Sequence, residues 1–295
     1  MMPDHLQRLL LERANVRCVV AHIDSVYAEV LERAHYPDAL AQMLGEALVV
    51  AALCSSGVKF TGRVSLQLRT SGPLKLLLAD CTDAGGMRGL ARFDPETVLP
   101  GAGFAELAGD GILTMTIEPS GSGRTWQGIV PLTGQRMADA VADYFDRSEQ
   151  LPTRVMLAVG DGRAAGILVQ RLPGEADDAD GWNRVRTLLE TVSEDELLET
   201  DAETLLHRLF HEETRRLFPA RPLAFHCPCS RERVARVLRG LGEEELESII
   251  EAQGEIDVSC EFCNEQYRFD RLDVGRLLRT EVPESDDDDP SPTVH

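Results

Sequence analysis

Cys227-Pro228-Cys229 and Cys260-Glu261-Phe262-Cys263 are separated by 30 residues, and they decide how the rest of the chain reads. Two close thiol pairs on two turns can converge on one tetrahedral zinc, with metal–sulfur bonds of about 2.3 Å. The same spacing lets each pair, Cys227 with Cys229 and Cys260 with Cys263, close a local disulfide once a metal leaves. That dual capacity points to a zinc-thiolate redox switch. A permanent structural zinc knuckle is the alternative that spacing alone leaves open. Cys-Pro-Cys is tighter than the usual gap between zinc ligands. A disulfide across one intervening residue is sterically constrained, and strained disulfides tend to be labile.

The residues around the cysteines describe a small module, 222–280. Ser230 is placed to cap a helix whose apolar positions Val234, Val237, Leu238 and Leu241 share one face. Leu246, Ile249 and Ile250 mark a second helix, with Gly254 as its stop. Ile256–Ser259 and Gln266–Phe269 flank the second pair as a hairpin. A module of about 60 residues rarely supports its own core without a metal or crosslinks. Zinc binding contributes roughly 10–16 kcal/mol of apparent folding energy to such modules, so losing the metal should unfold this one.

Upstream, residues 174–221 read as a charged helical linker. Pro173-Gly174-Glu175 opens it, and short helices follow at Trp182–Val192, Glu194–Glu199 and Ala202–Leu217. Ser193 with Glu196, and Thr200 with Glu203, have capping-box spacing. Leu205, Leu206, Leu209 and Phe210 make one apolar stripe. Helices this short are marginal in water and depend on docking against something else.

Residues 1–173 read as an α+β domain of antiparallel strands and helices. Val16–Ile23 is a β-rich run, and helices follow around Ser25–Ala34 and Pro37–Ser55. The second is apolar almost all round and so should be buried. Strands follow at Arg63–Thr70, Leu74–Asp80, Gly89–Phe93, Ile112–Glu118 and Thr125–Pro131. A helix near Gln135–Arg147 precedes Arg154–Val159 and Ala164–Gln170, joined by the hairpin signal Asp161-Gly162. Downstream, residues 281–295 with Asp286–Asp289 in a row read as an acidic disordered tail.

Composition excludes several function classes. The 295 residues are 43% hydrophobic, enough for a core, and carry a formal net charge of −20. No basic stripe offers a phosphate-binding surface, so nucleic acid is not an expected partner. Lys59 and Lys75 are the two lysines, and neither sits in a phosphate loop, so no nucleotide is expected. No Gly-x-Ser-x-Gly elbow occurs, and no catalytic constellation replaces it. The longest clean apolar run, Ala47–Cys54, is too short to span a membrane. The first residues lack the cationic start and apolar stretch of a signal peptide, and a cytoplasmic location is expected.

Other conspicuous residues carry less. Cys18, Cys54 and Cys81 read as buried core thiols. His207 and His211 have i, i+4 spacing but lack a correctly placed glutamate, so a solvated helix face is the reading. A disulfide oxidoreductase would place Cys260-Glu-Phe-Cys263 at a helix start after a strand, without a second cysteine pair alongside. A zinc-ribbon nucleic-acid binder would need a basic face.

The chain resembles, along nearly its whole length, the redox-regulated holdases of the thirty-three-kilodalton heat-shock protein family. Cys227-Pro-Cys-Ser-Arg-Glu-Arg233 and Cys260-Glu-Phe-Cys-Asn-Glu-Gln-Tyr-Arg-Phe269 carry most of the match. Met87–Arg92, Trp126–Val130, Tyr144–Thr153 and Gly166–Pro173 add family-like stretches in the right order. The resemblance implies an ATP-independent chaperone, not an enzyme, that is inactive while reduced and zinc-bound by the four cysteines. Oxidation would form two disulfides, release one zinc ion and destabilise the linker. Apolar surface would then become available to unfolding client proteins, and oxidised members associate as homodimers. Within the linker, Leu205, Leu209, Phe210 and Phe218 are the residues expected to join the client surface once undocked.

Overall fold

The computed structural model describes residues 3–57, 61–98, 100–121 and 123–279. The acidic tail therefore lies outside the described residues. The chain forms two compact units, divided between His226 and Cys227.

The first unit is built from two six-stranded sheets. Its strands are β1 His5–Leu11, β2 Val16–His22, β3 Gly62–Thr70, β4 Leu74–Thr82, β5 Gly86–Phe93, β6 Gly111–Pro119, β7 Trp126–Pro131, β8 Thr153–Gly160, β9 Arg163–Arg171, β10 Arg215–Leu217, β11 Arg221–Pro222 and β12 Ala224–Phe225. One sheet runs β10-β1-β2-β9-β8, with β11 also on β1. The other runs β12-β5-β4-β3-β6-β7. All pairings are antiparallel except β12 with β5. The β8–β9 hairpin turns at Asp161 and Gly162, both left-handed with φ of 51° and 72°. That is the backbone an Asp-Gly turn adopts in a tight hairpin.

Helices α1 Asp24–Glu32, α2 Asp38–Ser55, α3 Phe104–Ala108 and α4 Met137–Tyr144 belong to this unit, the last running into a π turn at Phe145–Glu149. Side chains of α2 share one core with those of both sheets, which is why α2 has no polar stripe. By length and composition α2 could cross a membrane, with mean hydropathy 1.4 over 18 residues. Here 72% of it is buried inside the fold. Gly166 on β9 lets the helix come close: a Cβ there would lie 2.5 Å from Val49.

The linker forms α5 Gly181–Leu189, α6 Glu194–Glu199 and α7 Ala202–Phe210. These helices cover the face of the β1-β2-β9 sheet opposite α2. Both faces of β2 and β9 are therefore buried, and their burial is almost continuous rather than alternating.

Three readings need correction. The helix expected over Ala202–Leu217 ends at Phe210, and Arg215–Leu217 is strand β10. The open edge of β1 supplies backbone partners there: Leu9, Leu10 and Leu11 face Leu217, Arg216 and Arg215. The cap of α7 is Asp201, not Thr200, and its carboxylate accepts from the Thr204 amide at 3.0 Å. A carboxylate at the helix start also meets the positive end of the helix dipole. Strand β1 and the short α3 were not expected from the sequence.

The second unit holds α8 Arg231–Arg239, α9 Glu243–Gln253, the hairpin β13 Glu255–Ser259 with β14 Gln266–Asp270, and α10 Arg271–Arg279. Its core has seven buried apolar residues: Ala235, Leu238, Leu246, Ile250, Ile256, Phe269 and Val274.

Candidate metal centre and its neighbours

Local rules place each cysteine. The Ser230 hydroxyl accepts from the Arg233 amide at 3.3 Å and starts α8 one residue after Cys229. The Cys227-Pro-Cys229 turn is thus tied to a helix N-terminus. The other pair lies in the β13–β14 turn, closed by Cys260 N to Glu265 O at 2.9 Å and Asn264 N to Cys260 O at 2.7 Å. Asn264 takes the left-handed backbone (φ 56°) that asparagine tolerates better than most residues.

The four Sγ atoms lie within 4.8 Å of one another. Cys227 Sγ is 3.7 Å from Cys260 Sγ, and Cys229 Sγ is 3.2 Å from Cys263 Sγ. Four sulfurs about 2.3 Å from one zinc would be separated by about 3.8 Å. The donor set fits that ion in number, softness and spacing. All four side chains are partly buried, so solvent does little to separate their charges.

The close sulfurs perturb one another's pKa. The hydrogen bond with Cys227 pushes the Cys260 thiol well down, and backbone amides of Cys263 and Phe262 add to this. Cys227 is pushed up by the same bond and by burial. Cys263 is pushed up to about 12, burial leading. Sulfurs this close disfavour several negative charges at once. A divalent ion would remove that penalty, because coordinating thiols are deprotonated outright.

Tyr267 on β14 was not singled out in the sequence. Its hydroxyl donates to Cys229 Sγ at 3.2 Å, and this bond pushes the phenol's own pKa up.

The linker residues also have definite places. Leu205 and Phe210 are 0% exposed, packed with Leu9, Leu11, Cys18, Val20, Ile167 and Val169 of the sheet. Leu209 is half-buried at the rim of that cluster. Phe218 lies apart, under the Arg8 guanidinium at 5.1 Å. A further tie joins linker to sheet: buried His22 on β2 bonds through Nε2 to the Leu197 carbonyl of α6 at 2.9 Å. No pattern in the sequence marks that histidine. Cys18, Cys54 and Cys81 are buried, and burial pushes each thiol up, away from reactivity.

Residues 4–270 match the model of the Hsp33 protein family. The chain belongs to that family. Hsp33 relatives named 33 kDa chaperonin include those of Methylobacillus flagellatus, 42% identical over 95% of this chain and 96% of that protein, and Azotobacter vinelandii, 45% identical over 93% and 94%. The relative from Ectopseudomonas mendocina is 42% identical over the whole of both chains. The crystal structure of the 33 kDa chaperonin of Thermotoga maritima, an Hsp33 homolog, superposes with a TM-score of 0.84. It covers 94% of this chain and 98% of that one at 23% identity, a likeness of fold. Hsp33 membership gives this chain a chaperone function.

Proposed function

We propose that this Hsp33 chain is an ATP-independent holdase whose activity is gated by the oxidation state of Cys227, Cys229, Cys260 and Cys263. The observation that carries this is the closeness of the four sulfurs in a module whose own core has seven buried apolar residues. We assign residues 1–173 as the core, 174–221 as the linker, 222–280 as the switch, and give residues 281–295 no role.

Zinc, when bound, would hold all four sulfurs as thiolates and tie the helix-capping turn to the hairpin turn. A thiolate remains a nucleophile toward oxidants. Oxidation to Cys227–Cys229 and Cys260–Cys263 would take away the ligands and with them the crosslink between the two turns. The module's small core does not replace that crosslink.

The linker helices, of 9, 6 and 9 residues, persist by docking. We infer that unfolding of the module downstream weakens their docking. Undocking would uncover Leu9, Leu11, Val20, Ile167 and Val169 on the sheet and free Leu205, Leu209 and Phe210 on the helices. Phe218 would lose its place beside Arg8. Contiguous apolar surface of this kind binds unfolding chains, and it also favours association of two oxidised copies as a homodimer. Neither nucleotide, nucleic acid nor a membrane takes part, and the setting is cytoplasmic.

Light scattering from a thermally unfolding test protein, without nucleotide, tests the reading. The peroxide-treated chain should suppress aggregation, the reduced zinc-loaded chain should not, and dithiol reductant should reverse the suppression. Equal behaviour of the two forms would mean that the cysteines are purely structural.

A further inference from the structure

The three sulfurs other than that of Cys229 are addressed by backbone amides: Cys227 from Cys229, Cys260 from Cys263 and Phe262, and Cys263 from Glu265. Such bonds come with the turns and cannot be varied without changing the chain's path. Cys229 is different. It accepts from a side chain, the Tyr267 hydroxyl, at 3.2 Å. The phenol is held from two sides. Its strand pairs Tyr267 with Val258 across the hairpin, and its ring packs against the module's apolar core. The donor is therefore aimed at the sulfur by the fold, not by chance of a mobile surface group.

We propose that Tyr267 is a positioning residue that restrains oxidation at Cys229 and so sets the oxidant threshold of the switch. The inference rests on the redox reading above and deepens it. With a peroxide as oxidant, a cysteine thiolate attacks one peroxide oxygen. The S–O bond forms, the O–O bond breaks and hydroxide leaves. The neighbouring thiolate then attacks that sulfur, the S–S bond forms and a second hydroxide leaves. Two sulfurs together lose two electrons, and the peroxide gains them. Either role at Cys229 uses a sulfur lone pair. The Tyr267 O–H engages a lone pair of that sulfur and lowers its electron density, so attack requires weakening the hydrogen bond. A hydrogen bond to a charged acceptor is stronger than a neutral one. Losing it should therefore speed reaction at Cys229 by roughly three- to tenfold.

Tyr267→Phe in the full chain removes the donor and keeps the ring. Three quantities are read on wild type and variant: zinc per chain, peroxide-driven zinc release followed with a chromogenic chelator, and the oxidation rate of each cysteine by alkylation and mass spectrometry. The expected result is a selective acceleration at Cys229 with rates at Cys260 and Cys263 unchanged before metal release, and earlier zinc release at unchanged zinc content. Uniform acceleration of all four cysteines, the signature of a merely loosened or unfolded module, would overturn the proposal. So would unchanged rates. Wild-type chain that holds no zinc would sink the metal reading alone, because the Cys229 rate is read in either metal state.

Discussion

The two units differ widely in how much apolar core each has. The first has a core in which α2 is packed by both sheets, with dozens of side chains removed from water. The second has seven. At roughly 1.5–3 kcal/mol for each fully buried large aliphatic or aromatic side chain, the first has a wide margin and the second has little against the entropy of ordering its chain. The cysteine cluster stands where further core residues would otherwise be needed. If a metal holds the second unit, as proposed, that unit would be released by chemistry that leaves the core of the first intact.

Removing the metal is the strongest way to break that contrast. Chelation of the reduced chain, or Cys263→Ser, should cost the second unit most of the roughly 10–16 kcal/mol that such sites supply. Amide exchange across the β13–β14 hairpin should become fast, while β3 and β9 stay protected. Persisting protection in the hairpin would show that its core suffices.

The linker occupies the middle ground. It is docked mainly by apolar contacts, with the His22–Leu197 hydrogen bond beside them, and Phe210 is its largest fully buried side chain. Phe210→Ala should weaken docking by about 3–5 kcal/mol. In the reduced, zinc-loaded chain, residues 181–210 should then exchange faster and holdase activity should appear without oxidant. Activity still confined to the oxidised form would place the client surface elsewhere.

The smallest effect is one of pH, between α2 and the start of α6. Burial, and then the nearby Glu194 carboxylate of α6, raise Glu46 on α2 from 4.5 to about 7. The folded chain thus keeps a proton there that the unfolded chain releases. The corresponding stability is complete below about pH 4.5 and is lost as pH rises to about 7, on the order of 3 kcal/mol. Glu46→Gln should flatten that part of the dependence of the melting midpoint on pH. An unchanged slope between pH 4.5 and 7 in the variant would remove Glu46 from the account.

What was legible in the sequence follows the same divide between local and distant causes. The cysteine quartet, the Ser230 cap and the hairpin around Cys260 and Cys263 are specified within a few residues, and their elements stand where the pattern puts them. So do strands β3 to β7 and the Asp161-Gly162 turn, whereas β12 at the edge of their sheet was not expected. Strand β1 was missed because its residue types do not follow its burial: polar Gln7 is buried, with its side-chain amide donating to the Phe218 carbonyl at 2.5 Å, while apolar Leu10 is only partly buried. The sequence there shows no apolar–polar alternation to mark a strand. The overrun of α7 has a non-local cause too, since Arg215–Leu217 become strand only because β1 offers an edge 200 residues away in sequence. Thr200 has capping-box spacing with Glu203, yet the carboxylate of Asp201 is the stronger acceptor and takes the role. Tyr267 and His22 act through single hydrogen bonds to distant partners, which no spacing records.

Residues 215–225 close two borders with one short stretch. Strands β10 and β11 lie along β1, and β12 lies along β5, so each sheet ends in backbone from the same eleven residues. An outermost strand is a template for whatever chain meets it, and here the protein's own chain occupies both templates. The stretch ends two residues before Cys227. Were it to peel away, two rows of amide and carbonyl groups would open together, offering main-chain pairing that is indifferent to side-chain identity.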